Sequence, residues 1–242
     1  LEVMEIDLKS LQSVRKFAEI FIEKYNRLDL LINNAGIMIP PLSKTRDGFE
    51  SQMGVNYFSH FLLTNLLFPL LDKTKDSRIV SLSSIAHEKG KIDFENLNAE
   101  QRYSRIEAYQ QSKLACLMFS LELQRRIDQS NKKVISVAAH PGVSATNLVR
   151  FIPKILFTLA WPFMFFITHN PQKAAQPTLM AALEPNVQGG EYFGPQGFRG
   201  MKGAPGLTQP KPHALDKEVA QKLWKVSEEL TGENFKFEGI KK

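Results

Sequence analysis

Tyr109 and Lys113 stand four residues apart in the stretch EAYQQSKLA. On an α-helix that spacing puts both side chains on one face, a turn apart. A free phenol titrates near about 10, too high for ready proton exchange at neutral pH, and a nearby ammonium favours the phenolate form. A tyrosine tuned in this way can pass a proton to or from a carbonyl or hydroxyl oxygen. Two unrelated helix residues would give the same pattern, so the pair is weak alone. Three further groups strengthen it. Ser83 and Ser84 close the apolar run SRIVSLSS, Asn33-Asn34-Ala35-Gly36 closes LDLLINNAG, and Pro141-Gly142 with Thr146 follows KKVISVAAH. Each set ends a strand-like run. In open α/β sheets ligands bind at the carboxyl ends of strands, where small residues let a ligand approach the backbone.

The elements that must position these residues alternate along the chain. Short apolar runs are separated by amphipathic helical patterns, which predicts a parallel sheet with helices on both faces. LEVMEID (1–7) reads as a first strand, handing over to a helix from Ser10 to about Tyr25. Leu30, Leu31 and Ile32 run without polar alternation, as expected where both faces of a strand are covered. Helices are predicted over about 49–71, 105–129, 171–183 and 214–231, and GGEYFG reads as the last strand. The glycine- and proline-rich 194–212 reads as a surface excursion. No linker divides residues 1–242, so one domain is expected.

Taken in order, N-N-A-G at 33–36, Ser84, Y-x-x-x-K at 109–113 and P-G-x-x-x-T at 141–146 resemble the signature motifs of the short-chain dehydrogenase/reductase family. KTRDGFE, VNYFSHFLLTNLL, SSIAH and RYSRIEAYQQSKLA are similar to its retinol-dehydrogenase-like and WW-domain-oxidoreductase-like branch, as is the separation of 25 between Ser84 and Tyr109. The resemblance implies a Rossmann-like, doubly wound, three-layer αβα fold. It implies Tyr109 as acid/base, Lys113 on the nicotinamide ribose, Ser84 on the reacting oxygen, and Asn56 holding a water in a proton relay. Asp7 would lie near the adenine, Asn33, Ala35 and Gly36 would line the cofactor, and Pro141, Gly142 and Thr146 would sit by the nicotinamide and phosphates. The cofactor it implies is NADP, with NAD as the alternative. The family's opening strand, glycine-rich phosphate loop and second strand have no counterpart in this chain, which therefore reads as a fragment expected to bind cofactor poorly. A non-catalytic binding or regulatory role is the alternative function. A nucleotide-sugar epimerase also uses Y-x-x-x-K, but N-N-A-G and the spacing argue against it.

Bulk composition narrows the partners. Of 242 residues 43% are hydrophobic and 23% charged, which is ordinary globular composition. The net charge is +6, without the dense Lys/Arg runs that nucleic-acid binding uses. Cys116 is the sole cysteine, so neither an intrachain disulfide nor a cysteine metal site is expected. The 17 residues from Phe151 to Ile167 are the most apolar stretch, interrupted by Pro153, Lys154 and Pro162. A spanning helix needs roughly 20 apolar residues. In the resembling family this region (151–183) is the substrate lid, which suggests an apolar alcohol, aldehyde or ketone and peripheral membrane contact; plain core or oligomer-interface packing explains the stretch equally well. The expectation is a cytoplasmic, membrane-associated enzyme able to form a homo-oligomer. His140 is read as structural, and His87 as a surface residue with substrate contact as the alternative.

Overall fold

A computed structural model describes residues 1–143 and 170–237. The first helix, α1 (Leu11–Lys24), begins where Ser10 accepts a hydrogen bond from Ser13 N and buries Leu11, Val14 and Ala18. Strand β1 (Leu30–Asn33) follows. Glu50 then caps two amides at once, those of Gln52 and Met53, and opens α2 (Ser51–Met53). The chain continues without a break through a π-helical turn, Gly54–Phe58, into α3 (Ser59–Lys73). Next come β2 (Arg78–Leu82), a short 3-10 turn (Ile85–Lys89) and the 25-residue α4 (Arg105–Gln129), capped by Ser104. Beyond β3 (Ile135–Ala139) lie α5 (Pro171–Leu183), β4 (Tyr192–Pro195), β5 (Pro205–Leu207), a 3-10 turn (Pro212–Leu215) and α6 (Lys217–Thr231).

The sheet order is β1-β2-β3-β4-β5, parallel through β4, with β5 antiparallel to it. One face packs on α3 and α4, with α1 and α6 completing a large core in which Trp224 meets Phe61, Phe119 and Phe235. On the other face Val80, Leu82, Val137, Ala139 and Phe193 pack against Ala181 and Ala182 of α5. Both faces of the central strands are therefore apolar, and every residue of β2 is buried. The three parallel connections step across the sheet in one direction. The first two carry their helices on one face, and the third carries α5 on the other, so it has the opposite hand. Arg78 fixes that helix by donating to the carbonyls of Ala181 (2.7 Å) and Glu184 (3.2 Å) at its carboxyl end.

Several sequence-based expectations are corrected. Residues 1–7 form no strand. A strand exists only as part of a ladder, and the segment pairs with no described strand; Ile6 and Leu8 instead pack on the main core, and Ser59 Oγ donates to Leu8 O (2.6 Å). Strand β1 is not covered on both faces: among the described residues it has one ladder partner, and Ile32 is 39% exposed. Its apolar run suits an inner strand, yet its position is an edge. The strand at 192–195 is not the last, because β5 returns beside it. The final helix starts at Lys217, after a separate 3-10 turn, because Asp216 supplies the cap for Glu218 and Val219. The apolar stretch 151–167 lies outside the described residues.

Candidate active site

The carboxyl ends of β1, β2 and β3 meet the middle of α3 and the first half of α4. Asn33 is buried and its Nδ2 donates to Thr64 Oγ1 (2.9 Å), stitching β1 to α3. Asn34 and Ala35 are exposed beyond it. Gly36 suits a close approach: a Cβ there would lie 3.1 Å from Asn56 Oδ1, tighter than an ordinary contact, and 3.6 Å from Lys113 Nζ. That one position brings together three residues far apart in sequence.

Asn56 sits in the π-helical turn and is almost fully buried. Its Oδ1 accepts from Ile37 N (2.8 Å), and its Nδ2 donates to Ile37 O (3.0 Å) and to Ser112 Oγ (2.9 Å). The side chain thus clamps the loop after Gly36 to the helix that carries Tyr109 and Lys113. Its main-chain carbonyl faces His60 Nδ1 (2.9 Å) and accepts from Cys116 Sγ (3.1 Å). A π turn inside a helix is a recurrent feature of functional sites, and here it lies on the residue that joins loop to helix. One turn earlier, Gln52 accepts from Ile39 N (2.9 Å) and donates to Arg105 O (3.0 Å), a second strut between the same segments. Ile39 has φ 55°, a left-handed conformation rare for a β-branched residue.

Lys113 is buried, and its Nζ donates to Leu82 O (3.0 Å) at the end of β2. Tyr109 is half-buried one turn away, and its carbonyl accepts from Ser112 Oγ (2.9 Å). The two serines at the end of β2 divide their tasks. Ser83 Oγ donates to Lys113 O (2.8 Å), which fixes the strand to the helix. Ser84 Oγ accepts from Ala86 N (3.1 Å), which leaves its own proton for another oxygen. Among the serines, Ser84 is therefore the one equipped to donate into the site.

The end of β3 carries His140, Pro141 and Gly142. His140 is buried, and Gly142 (φ 72°) donates from its amide to His140 Nδ1 (3.3 Å). Val143 N donates to Met201 O (2.8 Å). A Cβ on Gly200 would lie 3.4 Å from His140 Cε1 and 3.7 Å from Ile85 Cγ2. The glycine-rich excursion is thus no free surface loop, since its turn packs over the carboxyl ends of β2 and β3. Thr146 lies outside the described residues.

Asp7 sits in the turn entering α1 rather than at a strand end. Its Oδ1 accepts from Lys9 N (2.9 Å) and its Oδ2 pairs with Arg46 (3.2 Å). His87, expected at the surface, is 2% exposed. Burial holds its pKa below the usual imidazole value, and pushes His60 and His140 down to about 4 each, with Lys113 adding to the effect at His60. Burial raises the Cys116 thiol and the Tyr192 phenol. Gln52, His60, His87 and Tyr192 were not singled out from sequence as parts of the site. The family-like stretches SSIAH and VNYFSHFLLTNLL were the signals that contained His87 and His60. Among the described residues no group of His, Cys, Asp and Glu is placed to hold a metal ion, and no helix is long and apolar enough to cross a membrane.

Comparison with known proteins follows this geometry. The family model described as short chain dehydrogenase matches residues 1–154. Retinol dehydrogenase 14 of Mus musculus is 43% identical over 240 residues, covering 96% of this chain and 67% of that protein. Retinol dehydrogenase 13 of Homo sapiens is 43% identical over 236 residues, covering 94% and 67%. A crystal structure of an uncharacterized protein from Mycobacterium paratuberculosis superposes with a TM-score of 0.80 at 41% identity, over 97% of this chain and 77% of that one. An NADPH-bound carbonyl reductase from chicken fatty liver shares the fold, with a TM-score of 0.56 at 20% identity over 79% and 73%.

Proposed function

The chain belongs to the short-chain dehydrogenase family, and on that premise we propose that it carries the catalytic residues of an oxidoreductase acting on an apolar, retinoid- or lipid-like alcohol or carbonyl with a nicotinamide cofactor. The observation that carries this reading is the buried Lys113 ammonium, 3.0 Å from Leu82 O, adjoining Gly36 and Asn56 and one helical turn from Tyr109.

The residues present suit the nicotinamide-ribose end of such a cofactor. Gly36 keeps the floor beside Lys113 and Asn56 free of a side chain, and Asn34 and Ala35 are exposed at the strand end. Lys113 has three donor protons, of which Leu82 O takes one, so two remain for ribose hydroxyls. Among the described residues no glycine-rich strand-to-helix turn offers the amides that a pyrophosphate uses. The cofactor, when bound, supplies the hydride chemistry. The chain's own residues do the rest. Tyr109 gives or takes the proton at the substrate oxygen. The Ser84 hydroxyl donates to that oxygen and holds it against Tyr109. Asn56 and Ser83 fix the helix and strand that carry the pair. The names of the retinol dehydrogenase relatives support an apolar substrate. The choice of NADP over NAD rests on the resemblance to that branch.

Turnover with NADPH and retinal or a long-chain aldehyde, in wild type and Tyr109→Phe, tests the reading. The variant should lose about a hundredfold or more of kcat, the scale of general acid–base catalysis, with unchanged melting. Equal rates in the two proteins, or turnover of short polar carbonyls alone, overturn it. Direct NADPH titration should show weak binding by this chain; tight binding would contradict the reading of its phosphate side.

A further inference from the structure

We propose that His87 is a positioning residue for Ser84, acting as a neutral imidazole that fixes the serine's main chain so that its hydroxyl faces the site. The proposal rests on the dehydrogenase reading for what Ser84 does, but the placement of His87 stands on geometry alone. His87 grips the Ser84 carbonyl twice, with its backbone N–H (3.0 Å) and with ring Nδ1 (2.7 Å). An acceptor carbonyl requires that Nδ1 carry the proton. The other ring nitrogen, Nε2, then faces Lys211 N (3.5 Å) as an acceptor, so one neutral tautomer satisfies both contacts.

The imidazole is itself held from three sides. The Tyr192 hydroxyl on β4 lies 3.4 Å from Nδ1 and also interacts with the Ser83 side chain. The Tyr192 ring meets the imidazole edge to face at 5.6 Å, and the His140 ring packs on Tyr192 at 5.2 Å. From the segment before α6, His213 Nε2 contacts the His87 carbonyl (2.9 Å). Glu88 and Lys211 are the remaining charged neighbours. The end of β2, the start of β4 and the C-terminal arm therefore meet at His87, with His140 at the end of β3 backing Tyr192, and the His87 ring holds the residue beside the proposed proton transfer. The Ser84 hydroxyl feels this through the turn: its Oγ accepts from Ala86 N, and residues 84–87 form the loop that His87 closes.

Two substitutions of similar size separate the contacts. In His87→Asn the amide nitrogen falls near the Nδ1 position and can still donate to Ser84 O. In His87→Gln the amide reaches the Nε2 position and cannot. The readouts are melting temperature, hydrogen exchange of the Ala86 amide, and kcat and KM with NADPH and retinal. His87→Asn should keep the slow Ala86 exchange and stay within a few-fold of wild-type kcat. His87→Gln should lose the slow exchange and about tenfold or more of kcat, with KM little changed, as expected of a misplaced catalytic group. Tyr192→Phe, which keeps the ring and removes the hydroxyl, should give a smaller loss of the same kind. If Gln protects Ala86 as well as Asn does, the proposal is wrong. Exchange is measured whether or not the protein turns over, so a wild type inactive even at saturating NADPH would count against the dehydrogenase reading while exchange still decides the role of His87.

Discussion

The inner strands and the β1 edge belong to one sheet but are built differently. Around the carboxyl ends of β2 and β3 and the start of β4, polar side chains are held by main chain and by one another: Ser83 Oγ by Lys113 O, Ser84 Oγ by Ala86 N, and the His87 ring by Ser84 O and the Tyr192 hydroxyl. Both faces there are covered. At β1, one ladder is filled among the described residues and Ile32 is 39% exposed, while the 1–7 segment joins no described strand. The proton-transfer candidates Ser84, Tyr109 and Lys113 sit on the covered side, and Asn56 ties the loop leaving β1 to it. Catalytic geometry needs rigid support from several elements, and this sheet provides it only away from its open edge.

The contrast can be broken most severely at the clamp between the two regions. Asn56→Ala should leave Ile37 N–H and C=O without these partners and Ser112 Oγ with only its bond to Tyr109 O, and cost about 2 kcal/mol, since a group left unpaired carries a penalty of order 1 kcal/mol. Urea denaturation measures this, and a loss under about 1 kcal/mol would mean the clamp is not what joins the regions. The next effect is acid sensitivity. His60 and His140 are held near 4 when folded and titrate near 6.5 when unfolded. The unfolded chain therefore binds more protons between these values. Stability is fully present above about pH 6.5, falls as the pH drops toward 4, and levels off below, with roughly 3 kcal/mol at stake per residue. Chemical denaturation from pH 8 to 4 should show that slope, and a flat profile would show that the covered side does not exclude the charged imidazoles.

Smaller effects sharpen the picture. Ser81 pairs with Asn33 across β1 and β2, and its Oγ is buried with no hydrogen-bond partner. Ser81→Ala should leave stability unchanged or raise it by about 1 kcal/mol, because an unpaired hydroxyl loses its desolvation cost; a fall in melting temperature would mean that the hydroxyl does have a partner in solution. Least costly is Ile32→Thr at the edge, expected within about 0.5 kcal/mol of wild type but less prone to self-association, as light scattering would record. Unpaired apolar edges template association, so unchanged scattering would mean that this edge is protected.

Much of this arrangement was legible beforehand. Helix α4 falls on its predicted span because Ser104 caps it and no glycine or proline interrupts it, and the strands β1 to β4 stand out as short apolar runs between turn residues. Tyr109, Lys113 and Ser84 came forward as candidates through the resemblance of the ordered motifs to the family, since Y-x-x-x-K alone is a weak signal. Other features were not. A ladder needs a partner, so LEVMEID carries a strand's composition without becoming one. The π turn at Asn56 leaves no mark in an apolar helix whose period it shifts by one residue. His87 looked like a polar residue just past a strand, since burial depends on Tyr192 and Lys211, more than 100 residues away in the chain. The residue types and their order by themselves determined the family of chemistry and the order of elements, because both are local properties. Only the tertiary structure decided which strand is an edge, which serine keeps its proton free, and which histidine is neutral, because coverage, hydrogen-bond partners and desolvation are set by neighbours distant in sequence.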